Sequence, residues 1–214
     1  TSGTTNRHQL FFVLYNKDGT HKNSGIINTQ SYGTSGTTNI HRENIHMPKI
    51  AVFSDDSFIV VYKWRDGNSP HESKLSYNIY NKDGISRKYS GTGGDSVTSL
   101  SKFNDEYKTD HSVAVLPDDT FVISFATEST DNQQYDVYIK KFERGGYKSE
   151  SRPNYGYQII AEKLLPLSAD NANHQDNTDL AVLPNGNIVI AFETRLNNNE
   201  DIIFQQLDAS FNLI

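Results

Sequence analysis

A fourteen-residue phrase occurs three times in the chain and limits what it can become. It reads IAVFSDDSFIVVYK from Ile50, VAVLPDDTFVISFA from Val113 and LAVLPNGNIVIAFE from Leu180. In each copy an apolar run meets a short polar break and a second apolar run leaves it. The breaks are Asp55-Asp56, Asp118-Asp119 and Asn185-Gly186. Two apolar runs joined this way predict a tight β-hairpin with a two-residue turn, for which Asn-Gly is the strongest signal.

A second motif alternates with the first. Leu10 to Tyr15 precedes Asn16-Lys17-Asp18-Gly19, and the same pattern returns as Leu75 to Tyr80 before Asn81-Lys82-Asp83-Gly84. Looser echoes are Val137 to Phe142 before Glu143 and Ile202 to Leu207 before Asp208. The phrase itself recurs at nearly the same interval, from Ile50 to Val113 to Leu180. A unit of about 65 residues with two hairpins, hence four strands, predicts stacked copies of one element.

Facing patterns separate the two hairpins. Phe58, Val60 and Tyr62 fall on one face of a strand with Ile59 and Val61 on the other, so both faces are apolar. Phe121, Ile123 and Phe125 with Val122 and Ser124, and Ile188, Ile190 and Phe192 with Val189 and Ala191, repeat the pattern. Such strands are expected to be buried on both sides. In the second hairpin Leu75, Tyr77 and Ile79 alternate with Ser76 and Asn78, the pattern of a half-buried strand nearer a rim. Ala51, Ala114 and Ala181 hold one equivalent position, where a small residue suits crowding near an axis.

These readings predict an all-β fold, a β-propeller with blades of four antiparallel strands and a repeat of about 65 residues. The expected layout is an outer hairpin and connecting loop over 1–49, blades over 50–112 and 113–179, and a partial blade over 180–214. About three and a third units are fewer than the four or more blades of a closed ring. The chain is therefore expected to form an incomplete propeller. It opens Thr1-Ser2-Gly3 without an initiator Met, which reads as a piece of something longer.

The last copy, LAVLPNGNIVIAFET followed by NNNEDIIFQQLDASFNL, resembles a repeat of RTX-type bacterial adhesins and large ciliate surface proteins. Leu183-Pro184-Asn185-Gly186, Phe192 and Gln206-Leu207-Asp208 carry the likeness. Asp55-Asp56 and Asp118-Asp119 depart from the Asp-Gly turn of that repeat. The resemblance implies a propeller-like repeat on an extracellular or cell-surface protein, and it brings no active site with it.

Composition narrows the functions. A net charge of −6 without a basic cluster argues against nucleic acid, and no apolar run reaches the length of a membrane span. With no cysteine, disulfides, thiolate metal sites and cysteine nucleophiles are excluded. Asp170, Asn171, Asn173, Asp176 and Asp179 crowd hard oxygen ligands in the loop before the third phrase, which reads first as a solvated acidic loop and otherwise as a calcium site without the EF-hand spacing. His41, Glu43 and His46 lack the helical His spacing of a zinc protease. His46, His111 and His174 each precede a buried run, which suggests loop packing. Trp64 reads as rim packing, with a sugar-stacking platform as the alternative.

Sialidase boxes need Gly and Trp that Ser54-Asp55-Asp56-Ser57 does not supply. No catalytic residue can be chosen among the dispersed carboxylates. The expectation is a non-catalytic structural or adhesive module without a cofactor, acting through loops and strand edges. Its partners would be other copies of itself, other surface proteins or glycans. The alternatives are a propeller-scaffold carbohydrate-active enzyme and a calcium-dependent lectin.

Overall fold

The computed structural model describes residues 10–27, 46–65, 73–85, 95–96, 110–128, 135–143, 159–164, 174–196 and 199–214. Among these residues the chain is all-β, built of small antiparallel sheets without a helix. It divides into two compact units, one of Thr1–Pro48 with Asp55–Glu106 and one of Lys49–Ser54 with Tyr107–Ile214.

The first unit begins with the hairpin β1 (Phe11–Tyr15) and β2 (His21–Ile26). A four-stranded sheet follows, β3 (His46–Val52), β4 (Phe58–Arg65), β5 (Ser73–Tyr80) and β6 (Asp95–Ser96), its strands side by side in chain order; of β3, Lys49–Val52 belong to the second unit. Phe12 enters the cluster formed by Phe58, Val60, Tyr62 and Tyr80. Phe58 and Tyr80 are register partners with stacked rings, centroids 5.1 Å apart, and Phe12 lies 5.7 and 5.0 Å from them. Lys22 Nζ donates to the Lys82 carbonyl at 2.7 Å and pairs with Asp83 at 3.0 Å.

The second unit holds β7 (His111–Val115), β8 (Phe121–Glu128), β9 (Tyr135–Phe142) and β10 (Ile159–Leu164), again side by side. On this sheet packs another, β11 (His174–Val182), β12 (Ile188–Leu196) and β13 (Asn199–Leu207). Their shared core sets Val122, Val137 and Ile139 against Ile190, Phe192 and Leu207. The stacked pair recurs here as Phe121 and Phe142, 5.0 Å apart and register partners like Phe58 and Tyr80.

The expected two-sided burial holds in β4 and β8, where Phe58 to Tyr62 and Phe121 to Ala126 are buried, but not in the third copy, where Ile188, Ile190 and Phe192 are buried and Val189 and Ala191 only half-buried. The half-buried expectation for β5 fails: Ser76 and Asn78 are as buried as Leu75 and Tyr77. Asn78 Nδ2 donates to the Ile27 carbonyl at 2.5 Å, and the Tyr80 hydroxyl donates to the same oxygen at 3.1 Å. A polar residue can be buried when a partner is delivered to it.

The turns also differ from expectation. Their loops are one residue longer than the two-residue form. In five of the described turns the first residue accepts from the N–H of the fourth and donates to the carbonyl of the fifth, as Leu116 does with Asp119 and Thr120. The fourth residue is left-handed: Gly19, Gly84, Asp119, Gly186 and Phe211. Asp56 takes the same conformation in its turn. This is a type I turn closed by a bulge residue, which permits Pro117 and Pro184 at the second place.

Gly84 and Gly19 share this conformation but not their surroundings. A Cβ on Gly84 would come 2.7 Å from the Phe12 ring, whereas one on Gly19 would meet nothing. Gly19→Ala should therefore cost only the left-handed penalty, about 1–2 kcal/mol. Gly84→Ala should cost about 1–3 kcal/mol more by overpacking. Urea unfolding of both variants checks this, and equal losses would mean that Phe12 is not seated against Gly84.

Candidate functional site

The first strands of the three phrase copies end around a shallow, open depression of about 300 Å³. Val52, Val115 and Val182, one from each copy, line it with Leu183, Pro117 and Asp119. The three valines are equivalent, each one place beyond the recurrent alanine, and Val52 is 58 % exposed. The sequence pattern pointed to the alanines; the valines reach the depression because side chains alternate along a strand.

Successive turns interlock by chemistry that changes with the residues. Asp119 accepts from the Ser54 N–H at 2.9 Å and from its hydroxyl at 2.6 Å. The next turn offers Pro117 at the place of Ser54, and Pro has no N–H to donate. There Gly186 replaces Asp119, and the Pro117 ring approaches to within 3.8 Å of where a Cβ on Gly186 would stand. Asp119 thus occupies a left-handed position for a reason: its carboxylate receives two bonds from the preceding turn.

Asp118 and Asp18 act within their own turns. Burial raises the Asp118 pKa, but the Thr120 hydroxyl and N–H and the Lys141 charge outweigh it and hold the carboxyl below its ordinary value. Thr120 Oγ1 and N donate to Asp118 Oδ1 at 2.5 and 3.0 Å, and Lys141 Nζ lies 3.5 Å from Oδ2. In the first turn the Thr20 hydroxyl and N–H lower the pKa of Asp18. These carboxylates stabilise turns.

Of the calcium candidates, Asp170, Asn171 and Asn173 lie outside the described residues. Asp176 and Asp179 were expected in a loop but stand on β11, on either side of a bulge. Asn177, between them, has φ 51° and donates from Nδ2 to the Glu193 carboxylate at 2.7 Å. Asp179 Oδ1 accepts from the Ser112 hydroxyl at 2.5 Å, a contact that joins β11 to β7. Among the described residues no group of three or more His, Asp or Glu is placed to hold a metal.

His41 and Glu43 also lie outside the described residues. His46, His111 and His174 open β3, β7 and β11 rather than lying in loops, and His111 is fully buried. Trp64 is on β4, in register with Lys74.

The chain matches no protein-family model, and no curated protein is significantly similar to it in sequence.

Two measurements test the turn chemistry. A double-mutant cycle of Ser54→Ala with Asp119→Gly should give a coupling of about 0.5–1 kcal/mol, the net worth of a hydrogen bond; strictly additive losses would deny the contact. The second concerns pH. A carboxyl whose folded pKa is depressed contributes stability above its unfolded pKa and loses it as the pH falls through the folded value. Thr120→Val should raise the Asp118 pKa toward its ordinary value, so that this contribution is smaller. Carboxyl NMR titration reads the shift directly, and an unmoved Asp118 would contradict the assignment.

Proposed function

We propose that the chain is a non-catalytic structural or adhesive module of an extracellular or cell-surface protein, built of propeller-like blades that repeat along the sequence. The observation that carries this reading is how its polar side chains are used. Asp118 and Asp119 serve turns, Ser112 and Asp179 join two strands, and Asn78 meets a neighbouring carbonyl. The depression at the ends of the first strands is walled mainly by Val, Leu and Pro side chains, with Asp119 engaged by Ser54. A surface of this chemistry favours apolar contact over proton transfer, which needs an acid or base free to reach its substrate.

The resemblance of the third phrase copy to surface-protein repeats supports the same reading and the proposed location. Glycans and other surface proteins are the partner classes it suggests. Fold alone does not assign a function, so the proposal stands or falls on assay. A panel of fluorogenic glycosides should show no turnover. Turnover lost on changing a single carboxylate would replace this reading with that of a carbohydrate-active enzyme. Adding a chelator should leave the melting temperature unchanged, and a fall would instead favour a calcium-dependent lectin.

A further inference from the structure

The equivalent strands β1, β5, β9 and β13 have two faces, and the two junctions described within the units use them in the same sense. One face, here called the rear, carries Phe12 in β1 and Ile139 in β9. The other, the front, carries Tyr80 in β5 and Leu207 in β13. Phe12 packs on Tyr80 in the first unit, and Ile139 shares a core with Leu207 in the second. In both cases the rear of an earlier strand covers the front of a later one.

Equivalent positions then expose what is left open. At the front place Tyr80, Phe142 and Leu207 are 3 %, 1 % and 0 % exposed, but Tyr15 of β1 is 64 % exposed. At the rear place Phe12, Tyr77 and Ile139 are 9 %, 1 % and 0 % exposed, but Phe204 of β13 is 75 % exposed. Each open place belongs to an apolar stripe. Phe11 and Val13 accompany Tyr15 on β1, and Ile202 accompanies Phe204 on β13. Exposed contiguous apolar surface of this kind marks an interaction site.

We infer that these two faces bind each other between copies of this chain, the Ile202/Phe204 face of one molecule covering the Phe11/Val13/Tyr15 face of the next. An open rear and an open front are the same two kinds of surface that already pack together twice inside the molecule. The inference deepens the proposed structural role and rests on the packing of its blades. Because the two faces differ, the contact is head-to-tail, and such contacts close into rings or extend into filaments.

The test uses the full chain and two single variants, Val13→Asp and Phe204→Asp, each spoiling one face with the same charge. Analytical ultracentrifugation should show wild-type assemblies that grow with concentration, while each variant alone sediments as the 24.1 kDa monomer. An equimolar mixture should form a dimer of twice the monomer mass and nothing larger, because each variant keeps the face that the other has lost. A wild-type protein that is monomeric at every concentration overturns the inference. So does a mixture that stays monomeric, or a variant that assembles like wild type. Both side chains are exposed, so the variants should retain the wild-type circular dichroism and melting temperature. Should either Asp variant misfold, Val13→Asn and Phe204→Ser serve in its place and are held to the same outcomes. A monomeric wild type without glycosidase activity would end the self-association and leave the adhesive reading standing. Glycoside turnover would end that reading whatever the mass.

Discussion

The sheets built on β4 and β8 carry two apolar faces, and neither is satisfied within the sheet itself. That constraint governs the rest of the structure. A strand such as β8 has Phe121, Ile123 and Phe125 on one side and Val122 and Ala126 on the other, all buried. An isolated antiparallel sheet can leave one polar face in water, but a sheet of this composition needs a cover on each side. The rear of β7–β10 finds it in the front of β11–β13, through the core of Ile139, Ile190, Phe192 and Leu207. Burying one such side chain is worth about 1.5–3 kcal/mol, well above the usual worth of an exposed ion pair such as Arg195 with Glu200.

Polar contacts between sheets then set register rather than supply most of the stability. Ser112 with Asp179, Thr178 with Ser124 and Lys141 with the Ala209 carbonyl all link residues more than fifty positions apart. Apolar faces alone can slide over one another, whereas a hydroxyl aimed at a carboxylate has one good place. The turns add a further lock. Phe211 shows how strongly packing dominates there: it holds a left-handed φ of 67°, unusual for so bulky a residue, and is 2 % exposed. Its ring lies in the core, and burial offsets the backbone cost.

Much of this was legible in the chain. Alternation on both faces located β4, β8 and β12, and the phrase copies located their hairpins. The turn class was not legible, because the left-handed residue is identified by hydrogen bonding rather than by the Asp-Asp or Asn-Gly pair that draws the eye. The burial of β5 was hidden for a different reason. Asn78 looks solvent-facing until the Ile27 carbonyl, 51 positions earlier, is brought beside it. Asp176 and Asp179 looked like a loop cluster because Asn177 and Thr178 lie between them. The bulge at Asn177 lets the same residues belong to a strand.

The open faces were present in the sequence only in relation to one another. Nothing about Phe204 alone distinguishes it from Ile139, and nothing about Tyr15 alone distinguishes it from Tyr80. Each differs from its counterpart in what covers it, which alignment of equivalent strands and burial together reveal. Chemistry sharpens the contrast on the front face. Where β5 has Ser76 and Asn78, β1 has Phe11 and Val13, both exposed. Asn78 meets its cover through a hydrogen bond to a carbonyl, whereas Phe11 and Val13 can gain only by apolar contact. An apolar surface is the cover that suits β1, and β13 presents Ile202 and Phe204 on the face with which β1 and β9 pack on later strands.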